Sequence, residues 1–232
     1  MPVYYDPGHR APKVEELFAK IAKRYDLIND IQSFGMHRAW KRRLLELVQI
    51  RAGDRVLDLA TGTGDLIRMG RSRVPGSGWV GVDFTYAMLR AARAGSPLVQ
   101  GDILKLPIRG RSFSAATMAY GLRNVADRGR ALVEIQRVLK PGGRFVFLDF
   151  AKPENRLVRR LYFAWLRAVQ PFLGWLFFRD SETYRYIWRS LNEYPEVDGV
   201  SRELEEAGFR LVRAHRLFLG MMSIHVAVRE PS

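Results

Sequence analysis

The residues best suited to chemistry begin with a glycine-rich turn between an apolar segment and a predicted helix. The turn, Leu57-Asp-Leu-Ala-Thr-Gly-Thr-Gly-Asp65, contains Gly62 and Gly64. Glycine has no Cβ, so the backbone at both positions can approach a ligand closely. The free N–H groups at the start of the following helix favour a carboxylate or a phosphate. A tight turn that binds no ligand would also explain the pattern. Binding of a dinucleotide is disfavoured because its fingerprint requires a third glycine where this chain has Ile67.

Two carboxylates follow at the ends of the next two predicted strands. Asp83 closes the segment Trp79-Val-Gly-Val-Asp83, where an acid can accept hydrogen bonds from both hydroxyls of a ribose. Asp102 ends the third strand, where its carboxylate can accept from the exocyclic amine of adenine while Ile103 donates its backbone N–H. Either acid alone could be a helix N-cap or a turn residue. Their order at successive strand ends favours a cleft that binds a nucleoside.

Short apolar runs rich in β-branched residues alternate with helical patterns, which predicts an α/β fold with a parallel sheet. A helix should end at Pro141-Gly142-Gly143, where the chain turns into a strand. Gly208 should likewise end a helix before the strand that begins at Phe209. The predicted strands are 55–60, 78–83, 97–101, 113–119, 144–150, 209–216 and 221–229. The predicted helices are 13–25, 37–50, 63–73, 85–94, 127–139 and 197–207.

The last two strands are separated by a turn at 219–221 that is too short for a crossover, so they must pair antiparallel. A parallel sheet that ends in an antiparallel hairpin distinguishes methyltransferases from dinucleotide-dependent dehydrogenases. We therefore predict one Rossmann-like, class I methyltransferase domain over residues 1–232, with a mostly parallel seven-stranded sheet. Its cofactor would be S-adenosyl-L-methionine, with the methionyl carboxylate at the glycine-rich turn.

The composition excludes several kinds of chemistry. The chain has no cysteine, so a disulfide framework, a thiolate nucleophile and the covalent route to C5 of pyrimidines are ruled out. Its four histidines, His9, His37, His215 and His225, lack metal-ligand spacing, and we predict no metal site. The first ten residues lack the pattern of a secretory signal, which predicts a cytoplasmic protein.

The formal net charge of +14 fits a nucleic-acid binder, a protein that visits anionic membranes, or an arginine-rich composition without a special role. The excess is concentrated between Arg156 and Arg189, where seven arginines and two acids are interleaved with aromatic residues. This stretch belongs to a predicted helical insertion over 154–192. Arg167 and Pro171 argue against a membrane span. The insertion would suit an apolar tunnel for a lipid tail or a surface on anionic lipid, although a helical cap or a homodimer interface would also explain it.

Several segments carry a resemblance that covers the chain from about Val14 onward. They are Arg24-Tyr-Asp-Leu-Ile-Asn-Asp30, Ser33-Phe-Gly-Met-His-Arg-Ala-Trp-Lys41, the glycine-rich turn, Tyr120-Gly-Leu-Arg-Asn-Val-Ala-Asp127, Val138-Leu-Lys-Pro-Gly-Gly-Arg144 and Ser181-Glu-Thr-Tyr-Arg-Tyr-Ile187. With these segments the chain closely resembles the quinone-biosynthesis C-methyltransferases, which methylate demethylmenaquinol and 2-polyprenyl-6-methoxybenzoquinol.

The resemblance implies cofactor contacts at Thr63, at Asp83, and at Asp102 with Ile103. The family usually has Asn-Ala at the last two positions, and an aspartate can still accept from adenine. A serine often precedes the Tyr-Gly motif, and Ala119 stands there in this chain, so a hydroxyl contact is absent. The full set of predicted cofactor residues is Asp58, Gly62, Thr63, Gly64, Asp83, Asp102, Ile103 and Ala119.

The implied reaction is methylation of a ring carbon of a polyprenyl quinol, which becomes nucleophilic when an adjacent hydroxyl loses its proton. Arg123 is the predicted catalytic cation that stabilises the phenolate, although it could instead pair with Asp127 as a structural bridge. Residues 1–50 would form a helical lid. Within it, Tyr25 could hydrogen-bond the acceptor or pack in the core, and His37 could simply bridge helices.

The predicted acceptor is demethylmenaquinol, with the benzoquinol as the alternative. An RNA methyltransferase is disfavoured because the chain has no Asn-Pro-Pro-Tyr-like loop, so we expect no nucleic-acid partner. A non-catalytic membrane scaffold would leave the glycine-rich turn and the two acids unexplained. The expected partners are therefore the lipid-soluble quinol and, peripherally, an anionic membrane at the inner face of the cell membrane.

Overall fold

The computed structural model describes residues 15–16, 19, 30, 33, 35–169, 171–172, 175 and 182–230. The framework of these described residues is a sheet of seven strands. They are β1 (Arg55–Leu59), β2 (Gly78–Asp83), β3 (Leu98–Gln100), β4 (Phe113–Ala119), β5 (Leu139–Phe150), β6 (Phe209–Leu217) and β7 (Met222–Arg229). The main helices are α1 (Met36–Val48), α2 (Asp65–Arg73), α3 (Tyr86–Ala91), α4 (Arg128–Val138), α5 (Arg156–Ala164), α6 (Glu182–Glu193) and α7 (Val197–Glu206).

The strands follow the order β3-β2-β1-β4-β5-β7-β6 across the sheet. The pairs from β3 to β5 are parallel, whereas β7 pairs antiparallel with both β5 and β6. This confirms the predicted mostly parallel sheet with an antiparallel C-terminal hairpin. The order reverses between β1 and β4, and the carboxyl ends of parallel strands beside such a reversal commonly form a ligand crevice.

The sheet is covered on both faces because alternate residues of its central strands are apolar. Phe145 and Phe147 of β5 stack at 4.9 Å between ring centroids and pack with residues of α4 and α7. Val146, which points the other way, packs with Leu44 of α1 and Ile67 of α2. β1 lies between these two layers and is almost entirely buried, as expected for a parallel strand covered on both faces.

The predicted insertion is helical in its described residues from Arg156 onward and packs on the face that carries α4 and α7. α5 continues into a π-helical turn, Trp165–Val169, and α6 follows. Leu166 and Leu191 are fully buried in the same cluster as Phe147. No helix within the described ranges is long and apolar enough to cross a membrane.

Several boundaries differ from the sequence prediction, and contacts with neighbouring elements explain the two largest differences. β5 begins at Leu139, not at 144, since Leu139 pairs with Phe113 of β4 before a register shift to the pair Ala115 and Arg144. The Pro-Gly-Gly segment is therefore an irregularity within a strand, where Gly142 adopts a left-handed φ of 76°. The helix nevertheless ends at Val138, close to the predicted position.

α3 was predicted to reach residue 94 but ends at Ala91. The backbone N–H of Arg93 donates to the carbonyl of Thr63 at 3.1 Å, so the segment after α3 contacts the glycine-rich turn instead of continuing the helix. A Cβ added to Gly64 would lie 2.6 Å from the Cβ of Ala94. Because α3 ends early, the segment after it packs closely against the glycine-rich turn.

Candidate cofactor and active site

A cavity opens at the carboxyl ends of the parallel strands. It is bordered by the loops that follow β1, β2, β3 and β4, and most of its wall is apolar, including Leu59, Val82 and Met118. Of the predicted cofactor residues, the lining contains Gly62, Asp83, Asp102, Ile103 and Ala119. Polar groups therefore lie at a few defined points of an otherwise apolar cleft, as is usual for small-molecule sites.

The glycine-rich turn has the backbone geometry that the sequence suggests. Gly62 and Gly64 adopt φ of 56° and 76°, in the left-handed region that favours glycine. The N–H of Gly64 donates to the carbonyl of Thr61, and α2 begins directly afterwards at Asp65. α2 therefore begins three residues after Gly62, which lines the cavity, and the free N–H groups at the start of a helix favour an anion.

Asp83 joins the glycine-rich turn to the end of β2. One carboxylate oxygen accepts the N–H of Gly62 and the other accepts the N–H of Thr85, each at 2.8 Å. Burial raises the pKa of Asp83, while these two hydrogen bonds act in the opposite direction. A carboxylate offers about four acceptor directions, so Asp83 retains acceptor capacity while it lines the cavity. Its local capping contact and its predicted ribose contact are thus compatible.

Asp58, Thr63 and Gly64 are not among the residues that line the cavity. The Asp58 carboxylate is fully buried and accepts the hydroxyls of Thr61 and Thr117 at 2.6 and 2.7 Å. Burial raises its pKa to about 7, against the effect of both hydroxyls. Asp58 therefore connects Thr61 of the turn to Thr117 of β4 and stabilises the backbone that carries the site. The cofactor contacts predicted for these three residues stay predictions.

Asp102 and Ile103 lie side by side in the cavity wall, as the sequence suggests. An Asp102 oxygen also accepts the N–H of Leu104 at 2.9 Å, which caps the short helix Ile103–Lys105. Asp102 is therefore a helix cap, as the alternative interpretation held, and it also lines the cleft. Ala119, at the end of β4, lines the cavity with a methyl group only.

The loop after β4 forms the opposite wall of the cavity. Tyr120 has a left-handed φ of 61°, which is uncommon for a bulky residue, and its N–H donates to the carbonyl of Leu148. A Cβ on Gly121 would lie 2.8 Å from the Cβ of Ala60. The Tyr-Gly pair therefore lets this loop pack directly against the residue that follows β1. Strain of this kind often accompanies functional sites.

Arg123 lies behind this loop and is only 5% exposed. Its guanidinium donates to the Asp149 carboxylate and to the Tyr120 carbonyl, both at 2.9 Å, and lies 4.6 Å from the ring centre of Phe150. The backbone N–H of Arg123 also donates to Asp149. Arg123 is absent from the cavity lining. Its geometry is that of a residue that positions the loop, and its direct contact with a phenolate stays a prediction.

The carboxylate partner of Arg123 was missed by sequence reasoning, which proposed Asp127 instead. Asp127 is the N-cap of α4 and accepts the N–H of Arg130 at 2.9 Å. The signal that could have identified Asp149 is its place near the end of an otherwise apolar strand segment, Phe145–Phe150. A buried carboxylate in such a strand needs a partner.

The N-terminal part of the predicted lid is described only in places, and the candidate Tyr25 lies outside the described residues. His37 is buried, and its Nε2 lies 2.8 Å from the Asp30 carboxylate. Burial lowers the pKa of His37. The contact agrees with the structural reading of this histidine, which connects the start of α1 to the segment before it.

Lys41 and Asp65 form an ion pair beside the glycine-rich turn that sequence reasoning did not identify. The Lys41 ammonium is 3% exposed and pairs with the Asp65 carboxylate at the start of α2. It also lies 5.5 Å from the ring centre of Tyr120. One buried cation thus contacts both the glycine-rich turn's helix and the loop after β4. Among the described residues, no group of three or more possible side-chain ligands could hold a metal ion.

Comparisons with known proteins agree with this geometry. The model of the ubiE/COQ5 methyltransferase family matches residues 8–229. The ubiquinone/menaquinone biosynthesis C-methyltransferase UbiE of Pseudomonas putida is 41% identical over 96% of this chain and 91% of its own length. The protein of the same name from Pseudomonas savastanoi pv. phaseolicola is 40% identical with the same coverage.

Solved structures show the same fold at lower identity. A putative methyltransferase in complex with the Haloferax volcanii Trm112 activator has a TM-score of 0.67 and 21% identity, covering 92% of this chain and 98% of its own. A Haemonchus contortus phosphoethanolamine N-methyltransferase in complex with S-adenosyl-L-methionine has a TM-score of 0.63 and 14% identity, covering 83% and 53%.

Proposed function

Because this chain belongs to the ubiE/COQ5 methyltransferase family, we propose that it transfers a methyl group from S-adenosylmethionine to a ring carbon of a polyprenyl quinol. Family membership confirms the resemblance that the sequence motifs indicate. The curated relatives carry the name of ubiquinone and menaquinone biosynthesis. For this chain the proposed acceptor is demethylmenaquinol, and the methoxy-polyprenyl-benzoquinol is the second candidate.

The observation that carries the proposal is the position of Asp83. Its carboxylate holds Gly62 and also faces a cleft whose next wall contains Asp102 and Ile103. A ribose beside Asp83 would place its base towards Asp102 and its other end towards the glycine-rich turn. This is the order of acceptor and donor groups that an adenosyl compound with a carboxylate tail requires.

S-adenosylmethionine would supply an electrophilic methyl group for in-line displacement by the acceptor carbon. The chain's own task is to orient the two partners and to exclude water. The backbone at Gly62 and Asp83 would fix one partner, while the loop Tyr120–Asn124 would face the other. Apolar residues such as Met88 and Val125 line the same cleft and would exclude water from it.

Arg123 would contribute by holding that loop in its left-handed turn and by placing a buried positive charge behind it. Because the Arg123 guanidinium forms an ion pair with the Asp149 carboxylate, the positive electrostatic potential that it produces in the cleft is reduced. We therefore assign Arg123 first to positioning, and its stabilisation of a phenolate is the finer proposal. A readout that separates these roles is turnover compared with cofactor affinity.

The proposal is tested by incubating the purified protein with methyl-labelled S-adenosylmethionine and chemically reduced demethylmenaquinol, and separately with the benzoquinol. We expect methyl transfer to carbon of at least one quinol and none to the oxidised quinone, whose ring carbon is not nucleophilic. Asp83→Ala serves as the control in which cofactor binding is weakened. Cofactor binding without transfer to either quinol would contradict the assignment of the acceptor while leaving the assignment of the cofactor intact.

A further inference from the structure

The outer side of α5 exposes two leucines beside two arginines. Leu157 and Leu161 are 65% and 63% exposed, although both are large apolar residues on a regular helix. Leu157 and Leu161 are one helical turn apart, and so are Arg156 and Arg160. The two leucines therefore form one row along the helix, and the two arginines form the row beside it. The opposite side of α5 packs on the protein through the buried Tyr162. This exposed apolar row borders a cationic one.

The arginine row also forms one wall of a surface groove of about 440 Å³. Among the described residues, its lining also contains the basic Lys152 and Arg159 and one acid, Glu196. Glu196 pairs with Arg159 at 2.7 Å. Within the described ranges, Arg156 and Arg160 form no ion pair with a carboxylate, so their charges are uncompensated. The groove therefore suits an anionic group that approaches from the side of the exposed leucines.

Charge decides which occupant this surface fits. A second copy docked symmetrically through the same rows would bring arginine against arginine, which costs free energy. A nucleic acid would satisfy the arginines but would leave the leucines against a polar backbone. The interface of an anionic bilayer offers phosphates to the arginines and acyl chains to the leucines. Two large aromatic residues that follow α5 in the chain, Phe172 and Trp175, are exposed as well, and the centres of their rings lie 6.3 Å apart.

We infer that the outer side of α5 is a docking surface for an anionic bilayer, with Leu157 and Leu161 inserted at the interface and Arg156 and Arg160 bound to lipid phosphates. The docking surface is distinct from the cofactor cleft, and no described residue lines both the cleft and the groove beside α5. It does not depend on the identity of the methyl acceptor. Docking is expected to weaken with added salt because exposed charges are screened over about 10 Å at 0.1 M ionic strength.

The experiment is cosedimentation of the full chain with phosphatidylcholine vesicles that contain roughly 30 mol% phosphatidylglycerol, a content that provides a strongly negative surface. Vesicles of phosphatidylcholine alone are the lipid control. R156E/R160E is expected to lower the partition coefficient at least about tenfold, and L157S/L161S at least about threefold. The matched controls are R42E/R68E, which changes the net charge equally at exposed arginines elsewhere, and V133S/V212S, which removes exposed apolar side chains elsewhere.

Equal losses in the α5 variants and in their controls would overturn the proposal, because net charge or general hydrophobicity would then explain binding. Failure of the unaltered protein to bind anionic vesicles at low salt would also overturn it. Sedimentation of the free protein tests the alternative occupant, and a dimer that dissociates in L157S/L161S would assign this surface to a second copy. Methylation of a tail-less quinol should be unchanged in the α5 variants, which separates this test from that of the proposed function.

Discussion

Asp58→Asn tests whether the buried carboxylate beneath the glycine-rich turn costs stability at neutral pH. Burial raises the pKa of Asp58 from an ordinary value of 3.8 to about 7. Below pH 3.8 the group is protonated in both the folded and the unfolded chain, so it has no effect on stability. As the pH rises towards 7, the unfolded chain releases the proton while the folded chain retains it. The free energy of unfolding therefore falls through this window and is constant above it.

The size of this loss follows from the separation of the two pKa values. A separation between 3.8 and about 7 corresponds to about 4 kcal/mol in total, of which about 3 kcal/mol falls between pH 5 and pH 9. An asparagine amide can accept one threonine hydroxyl and donate to the other, so the variant should keep the neutral form's contacts. Its unfolding free energy should exceed that of the unaltered protein increasingly as the pH rises.

The assay is urea unfolding at pH 5, 7 and 9, taken as the difference between Asp58→Asn and the unaltered chain so that other groups cancel. Asp198→Asn, at a carboxylate whose side chain is 75% exposed, is the control. A difference that stays constant within about 0.5 kcal/mol, the scale of ordinary surface substitutions, would refute the reasoning. Calorimetric titration with S-adenosylmethionine is the functional readout. We expect affinity within about threefold because Asp58 acts through Thr61, and a larger loss would indicate a direct contact.

Three further substitutions test the site. Asp83→Ala removes the charged acceptor that we propose for both ribose hydroxyls of the cofactor, at about 1.5–3 kcal/mol per hydrogen bond, so cofactor affinity measured by calorimetry should fall at least about tenfold; affinity within about twofold would remove Asp83 from the site. Lys41→Met leaves the Asp65 carboxylate without its buried cation and should lower the urea-unfolding free energy by about 3–5 kcal/mol, with recovery when Asp65→Asn is added. Arg123→Lys should lower turnover at least about tenfold with little change in cofactor affinity. Equal loss of both quantities would give Arg123 a purely structural role.

The parts of the fold that sequence predicted well are those with local patterns. β2 and β4 have the predicted bounds because apolar runs of that length are bounded by turn residues. The hairpin followed from the shortness of its turn. The position of Asp83 at the cavity could be predicted because Asp83 ends a strand. The residues at the carboxyl ends of parallel strands lie at the same edge of the sheet.

The parts that sequence did not predict depend on pairs of residues that are distant along the chain. Arg123 and Asp149 are 26 positions apart, and Lys41 and Asp65 are 24 apart. No helical or strand period relates such positions, so only the folded chain shows that they meet. The same reason explains the early end of α3, where the N–H of Arg93 turns to the carbonyl of Thr63.

The placement of β7 between β5 and β6 has a consequence for synthesis on the ribosome. The cofactor half of the sheet, from β3 to β5, is encoded before residue 151 and can assemble from sequential segments as they emerge. The edge of β5 that pairs with β7 stays unpaired until β7 has been synthesised. β6 is translated before β7, but it joins the sheet only by pairing with β7. During that interval a nascent chain would present an unpaired apolar edge at Phe145–Phe150. We therefore expect interruption of translation before residue 222 to yield a chain that already contains the cofactor cleft yet depends on chaperones to remain in solution.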